Sequence, residues 1–326
     1  MADGKKGTFA DLLDGTFNLI SRTWITSLIL GGVLFIPSAY LFGWAYGTFW
    51  DVFKGMAELG RQDPTSVLET LGRAYIWIFL AALVQGVLFL YVRACVTEHT
   101  ARAVLGEQAN TVTVALHVIT QTYLKLLGQR IIQIVILSIT FGAAVLITSV
   151  AAGILAALNR IGLAILASCI LGLAGLGVVI WIAVRYTVTL ESMVVDGTGI
   201  DQSFDHSMAL VRGRWWRVFG YTLLFGLMVS FASSLIGTPI VFFSTIRQFM
   251  HALESLLRAP SGPRSMNALF MQLLAGLGRR LGIFQYIQNL IAGFVTPVFM
   301  TLLFLELQKP EPAPLPQEAL PAGTDS

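Results

Sequence analysis

The sequence predicts an all-α integral membrane protein with about six transmembrane helices, and three observations carry that prediction. Of 326 residues, 56% are hydrophobic and only 12% are charged, with mean hydropathy +0.75; a soluble domain carries about 25% charged residues. The apolar residues gather into six runs, each long enough for the ~20 residues with which a helix crosses the hydrocarbon core. Tryptophan, tyrosine, arginine and lysine stand at the ends of the runs, at headgroup level.

The first run, from Trp24 to about Tyr46, has Trp24, Tyr40, Trp44, Tyr46 and Trp50 as interfacial anchors and Pro37 as an expected kink. Lys5 and Lys6 resemble the basic start of a signal peptide. Asp11, Asp14 and Arg22 precede any long apolar core, however, so the first helix is expected to stay in the chain. The second run is Ala74 to about Thr97. Ile131–Leu158 and Ile161–Val188 are parted only by Asn159-Arg160 and form an antiparallel hairpin. The fifth run starts at Trp215-Trp216 and passes a break at Gly237-Thr238-Pro239 to about Phe243; the last covers Leu281–Leu307.

Polar stretches with helical periodicity precede the odd runs. Phe9, Leu12, Leu13, Phe17 and Ile20 form one apolar face; Val112, Leu116, Ile119, Tyr123, Leu126 and Leu127 form a second; Phe204, Met208 and Val211 form a third. Such helices are expected in the headgroup plane. Leu19-Ile20-Ser21-Arg22-Thr23-Trp24 matches Leu210-Val211-Arg212-Gly213-Arg214-Trp215, and Val92-Arg93…Val96-Thr97 matches Val184-Arg185…Val188-Thr189. The expected domain is a single membrane unit, 1–308, of three repeats (7–108, 109–198 and 199–308), each an interfacial amphipathic helix plus a helical hairpin. Residues 309–326, with five prolines, read as a disordered cytoplasmic tail.

Twelve of the 21 Lys and Arg fall on the side of the termini and nine on the other, five of those nine between 247 and 280. This excess places both termini in the cytoplasm. The net charge of +3 offers no concentrated field for nucleic acid, and two cysteines build neither a disulfide framework nor a closed zinc site.

The segment Arg185-Tyr186-Thr187-Val188-Thr189-Leu190-Glu191, with Asp196-Gly197-Thr198-Gly199, Ser203, Ser207 and Leu210-Val211-Arg212-Gly213-Arg214-Trp215-Trp216-Arg217-Val218, resembles the membrane domain of some bacterial glycerophosphodiester phosphodiesterases and its stand-alone membrane relatives. The opening Phe9–Trp24 and the closing Leu302–Leu307 resemble the ends of that family, so the likeness covers most of 7–308. Asp205-His206 departs from the pattern, and the catalytic barrel is missing. The resemblance implies a fold and a bacterial inner-membrane address, but no activity.

Arg93 and Arg185 take equivalent places near the cytoplasmic ends of the second and fourth runs, with Glu98, Glu191 and Glu306 near the same level. Two arrangements are open: each arginine snorkels to headgroup phosphates, or the five form an interhelical ion-pair ring or anionic-lipid contact. Gln285, Gln288 and Asn289 share one face of the last run and suit a polar cavity or interhelical glue, with Gln85 and Gln133 as similar lone amides. Ala144, Thr148, Ala152 and Ala156 on the third run, and Ala164, Ser168 and Gly172 on the fourth, form small-residue seams. Phe243–Arg258 and Met266–Leu277 read as two further amphipathic helices, the second carrying a stripe of Met266, Phe270, Leu273, Leu274 and Leu277 suited to lipid or a partner.

No catalytic, cofactor or metal motif stands out. His99, His117, His206 and His251 lack ligand spacing, and adjacent Asp205 and His206 point about 100° apart on a helix, so Asp201 or Ser203 is expected merely to cap it. The expected function is non-enzymatic organisation of lipid or of a membrane partner complex. The alternatives are a transporter or lipid-translocating protein with a polar site near Arg93 and Arg185, and, more weakly, a membrane-embedded lipid enzyme. Membrane lipids, another membrane protein or further copies of the chain are the expected partners; nucleic acid is not.

Overall fold

A computed structural model describes residues 8–58, 64–107, 110–258 and 263–309. Every regular element among them is helical: α1 (Phe9–Glu58), α2 (Pro64–Val104), α3 (Thr111–His117), a π turn (Val118–Thr122), α4 (Tyr123–Ala157), α5 (Ile161–Arg185), α6 (Thr189–Val195), α7 (Ile200–Val211), α8 (Trp215–Arg258) and α9 (Pro263–Gln308). Six segments are long and apolar enough to cross a bilayer, as the sequence predicts: Leu28–Thr48, Leu71–Val104, Thr111–Ala157, Ile161–Val195, Trp215–Pro239 and Gly282–Gln308. In hydrocarbon each backbone N–H and C=O needs a partner within its own segment, and a helix supplies one.

The first and last helices pack antiparallel along their length, with α2 laid across both and α8 on α9. Glycines permit the approach. Gly15 meets Leu302, and a Cβ on Gly282 would lie 2.9 Å from both the Ala39 carbonyl oxygen and the Gly43 Cα. Without a hydrophobic drive between helices in lipid, such backbone proximity supplies the attraction through van der Waals packing. The phenol of Tyr286 donates to the Gly32 carbonyl at 3.0 Å in the same seam. Phe9 and Phe299 rings stand 6.1 Å apart, so the two ends of the described chain lie at the same end of the bundle. We call this the terminal end.

The α4–α5 hairpin is peripheral and leaves most of its side chains on the outer surface, among them Ile139, Leu146, Leu173 and Ile165. Its turn places Asn159 at φ 54°, the left-handed conformation that asparagine tolerates better than most residues. On α4 the expected small-residue seam is half-buried at Ala144, Thr148 and Ala152 and exposed at Ala156; on α5 it is corrected. Ala164 and Ser168 are at least partly buried, but nothing lies within 4 Å of a Cβ on Gly172, whereas one on Gly175 would stand 2.6 Å from the Ala144 Cβ. The seam thus steps to 175, along the face the crossing presents.

Helix boundaries depart from the sequence reading in four places. The amphipathic stretch before the first run is no separate helix; it is the opening of α1. Thr16 and Thr23 return their hydroxyls to the carbonyls of Leu12 and Leu19 (2.7 and 2.9 Å), which allows polar residues within a continuous helix. The expected break at Gly237-Thr238-Pro239 lies within unbroken α8. Gly237 makes room for the Phe284 ring, whose Cδ2 would be 2.5 Å from a Cβ there, so its role is close packing and not helix termination. The stretches 243–258 and 266–277 continue α8 and α9 outward instead of forming separate helices; side chains of Met266, Phe270, Leu273, Leu274 and Leu277 lie outside the described residues, as do residues 310–326 of the tail. Finally, neither Asp201 nor Ser203 caps α7. Gly199 is the cap, its N–H donating to Gln202 Oε1 at 3.3 Å, because the turn at Gly197 (φ 65°) starts the helix earlier and leaves Asp201 in its first turn.

Candidate functional site

At the terminal end the short helices α6 and α7 fold back against α2, α4 and α9, and between the start of α6 and the spans lies a cavity of about 740 Å³. Its lining comes from 82–93 of α2, 127–134 of α4, 183–190 of α5, α6 and the link between them, 222–226 of α8, and Thr296 and Met300 of α9. All of these stretches belong to the half of the bundle nearest the termini. The cavity therefore does not cross the fold.

Its walls are mostly apolar, from Leu83, Phe89, Leu90, Leu127 and Phe225, with the charge gathered at one level. Arg93 reaches across from α2 to Glu191 on α6, Nη2 to Oε1 2.7 Å. The carboxylate is fully buried while the arginine side chain is 19% exposed. A single carboxylate oxygen is engaged: Glu191 Oε2 and Arg93 Nε are both buried without a hydrogen-bond partner. Two turns into α4, Arg130 also faces the cavity and donates through Nη1 to the neutral amide oxygen of Gln133 at 2.7 Å. Beside it the buried Gln129 donates to Thr189 Oγ1 at 2.7 Å, and Thr189 donates on to the Tyr186 carbonyl. Two guanidinium groups and one carboxylate give this level a formal charge of +1. Hydroxyls of Thr187, Thr222 and Thr296 complete its polar lining.

Only part of the expected charge cluster comes together. Arg93 and Glu191 meet, but Arg185 stacks on Trp181, 3.8 Å from guanidinium carbon to ring centroid, and does not line the cavity. The near-repetition of Val92-Arg93 in Val184-Arg185 therefore does not give the two arginines one environment. Glu98 pairs along its own helix with Arg102 and lies 3.8 Å from His117 of α3. Glu306 takes Lys309 at 2.5 Å and Arg217 at 3.8 Å. The ring is thus resolved into separate pairs, because the helices carrying the acids approach different neighbours.

The amide face of α9 forms a smaller polar contact. Asn289 Oδ1 accepts from Gln85 of α2 (3.2 Å) and from Gln285 (3.3 Å), while Gln288 is only half-buried beside them. This is interhelical glue beside the deep end of the large cavity, whose lining includes none of these four amides.

The Arg-Gly-Arg-Trp motif turns out to be a clamp. Gly213 (φ 78°) makes the turn between α7 and α8; Arg214 Nη1 donates to the Leu307 carbonyl at the end of α9 (3.0 Å), and the Trp215 indole donates to the Trp181 carbonyl of α5 (3.3 Å). His206 faces Asp196 at 3.8 Å and not its neighbour Asp205, as helical geometry requires. Among the described residues no three His, Cys, Asp or Glu side chains converge on a metal-sized site.

A family model for DUF7847, a domain of unknown function, matches residues 20–302. The chain belongs to the DUF7847 family. The DUF7847 match takes in every cavity-lining residue and stops short of Glu306. No curated protein and no solved structure matches the chain.

Sequence reasoning overlooked Arg130 as a site residue. Its signal was present: Arg130 and Gln133 are i, i+3 polar neighbours at the mouth of an otherwise apolar run, and so share a helix face. Thr189 carried no such signal, since its role depends on α6 folding back onto α4.

Proposed function

We propose that this DUF7847 member is a non-enzymatic multi-pass protein of the bacterial inner membrane, with both termini in the cytoplasm, that organises lipid by holding an amphiphile in the cavity at its terminal end. The observation that carries this reading is the cavity itself: about 740 Å³, inside the range typical of ligand sites, with apolar walls and charges at one level. Leu83, Ile131 and Ile134 line it and are also exposed on the outer surface of the spans, so its mouth opens where lipid chains run. Confinement to one half of the bundle favours holding over passage, since a transporter site near the midplane is reached from both faces.

The excess of Lys and Arg on the terminal side supports the cytoplasmic orientation. In this reading the chain is built from three units, 7–108, 109–198 and 199–308. Support comes from the repeated sequence signatures and from the short helices α3 and α7 that precede α4 and α8. The likeness to the membrane domain of glycerophosphodiester phosphodiesterases, carried by Arg185–Val218, supports the same bacterial address.

Lipid analysis of the full chain purified in mild detergent tests the proposal. Gly226 lies on the lining with nothing within 4 Å of an added Cβ, so Gly226→Trp places a bulky ring at the cavity wall without a clash at its Cβ. Wild type is expected to retain tightly bound lipid and Gly226→Trp to lose most of it. Equal retention by a correctly folded Gly226→Trp would refute the cavity as the holding site.

A further inference from the structure

Resting on that reading, we infer that the amphiphile is anionic, with a phosphate-bearing headgroup seated between Arg93 and Arg130 and an alkyl chain along the apolar wall. Charge supplies the first part of the argument. At the level of the headgroup one carboxylate, Glu191, stands against two guanidinium groups; it spends one oxygen on Arg93, while among the described residues Arg130 bonds the neutral Gln133 amide. Arg130 is an exposed residue on the cavity lining, so its guanidinium is open to a group entering through the mouth, and a charge at membrane depth is paired or placed on a ligand. A planar guanidinium presents parallel N–H donors that fit two phosphate oxygens. Arg93 Nε, buried and without a partner, is a donor left over after the Glu191 contact.

Shape supplies the second part. From Arg93 back to Ala82, both on the lining, α2 rises through about 16 Å of mostly apolar wall, at ~1.5 Å per residue. A small hydrated anion uses none of that wall, whereas an alkyl chain covers it and stays in contact with the membrane through the mouth at Leu83 and Ile134. Glu191 sets the preference between headgroups. It neutralises one arginine and leaves a single net positive charge, which matches a phosphodiester carrying one negative charge and no ammonium. A zwitterionic headgroup would bring its own cation towards Arg130.

The test is native mass spectrometry of the full chain in detergent, titrated separately with dioleoyl phosphatidylglycerol, dioleoyl phosphatidylcholine and inorganic phosphate. Wild type is expected to bind one phosphatidylglycerol about tenfold more tightly than phosphatidylcholine, with millimolar inorganic phosphate unable to displace it. In R130Q, whose folding is checked by its thermal unfolding midpoint, the preference should fall to about equal; R130K should keep most of it. Equal binding of the two lipids by wild type, or an undiminished preference in R130Q, overturns the headgroup assignment while leaving the lipid-holding reading in place. Displacement by inorganic phosphate overturns the amphiphile in favour of a soluble anion. Retention of no lipid of either kind overturns both this inference and the reading on which it rests.

Discussion

Replacing Arg93 by leucine removes the only ion-pair partner that the buried Glu191 carboxylate has among the described residues. The pair is short, 2.7 Å, and asymmetric: Glu191 has no exposed surface, and its second oxygen already lacks a hydrogen bond. Breaking a buried pair from one side costs about 3–5 kcal/mol, because the remaining charge is desolvated and uncompensated. Removing both charges with apolar residues of similar volume is close to neutral or even stabilising, since two desolvation penalties disappear together. R93L is therefore expected to lower the unfolding midpoint in detergent by roughly 6–10 °C, taking about 2 °C per kcal/mol for a chain of this size. R93L/E191L should recover most of that loss. The assay is a double-mutant cycle on R93L, E191L and the double variant, read by thermal unfolding followed through intrinsic tryptophan fluorescence. A coupling of 2 kcal/mol or more is expected. Additive single effects, or an R93L as stable as wild type, would show that Glu191 is satisfied by something other than Arg93 and would refute the argument.

Three further expectations follow from packing and capping. Gly282→Leu would drive a side chain into the Ala39 carbonyl and the Gly43 backbone, neither of which can swing aside, and should destabilise by more than the ~1–3 kcal/mol of ordinary overpacking; a thermal midpoint equal to wild type would contradict the α1–α9 seam. Gly175→Leu should destabilise while Gly172→Leu leaves the midpoint unchanged, because only the former meets Ala144; the reverse order would place the seam on the wrong face of α5. At the start of α1, Asp11 accepts from the Thr8 N–H (2.7 Å) and hydroxyl (2.8 Å), and the backbone donor chiefly holds its carboxyl below the usual 3.8. A depressed carboxylate contributes its stability above the unfolded value and loses it as pH falls through the folded one. Protection of the first-turn amides of α1, taken as the exchange rate relative to the intrinsic rate at each pH, should thus be steady from neutrality down to about pH 4 and fall below it, while Asp11→Asn should show less protection at neutral pH and no such acid step.

Composition and spacing alone were sufficient for the spans. Hydrophobic burial in lipid is decided locally, residue by residue, and a backbone deprived of water has little choice but helix, so the runs with Trp24, Arg93, Arg185 and Trp215 at or near their bounds read directly as membrane segments. The same locality made the hairpin at Asn159-Arg160 visible in advance. Helix ends were less legible. Glycine and proline at 237–239 look like a stop when read along the chain, but the Phe284 ring that occupies the space belongs to another helix. Site chemistry was legible only as an inventory. Arg93 and Glu191 are 98 positions apart, and among five candidate charges nothing in their order says that these two meet while Arg185 turns to Trp181 and Glu306 to Lys309. Pairing in a helical bundle follows from which helices cross, and crossings are selected by small residues on facing seams and by the fold-back of α6, both of them long-range. The sequence by itself determined six helical segments long and apolar enough to cross a membrane. Only the tertiary structure decided that Arg130 joins the Arg93–Glu191 pair around one cavity, because a net charge at one level exists only once separate helices have been brought together.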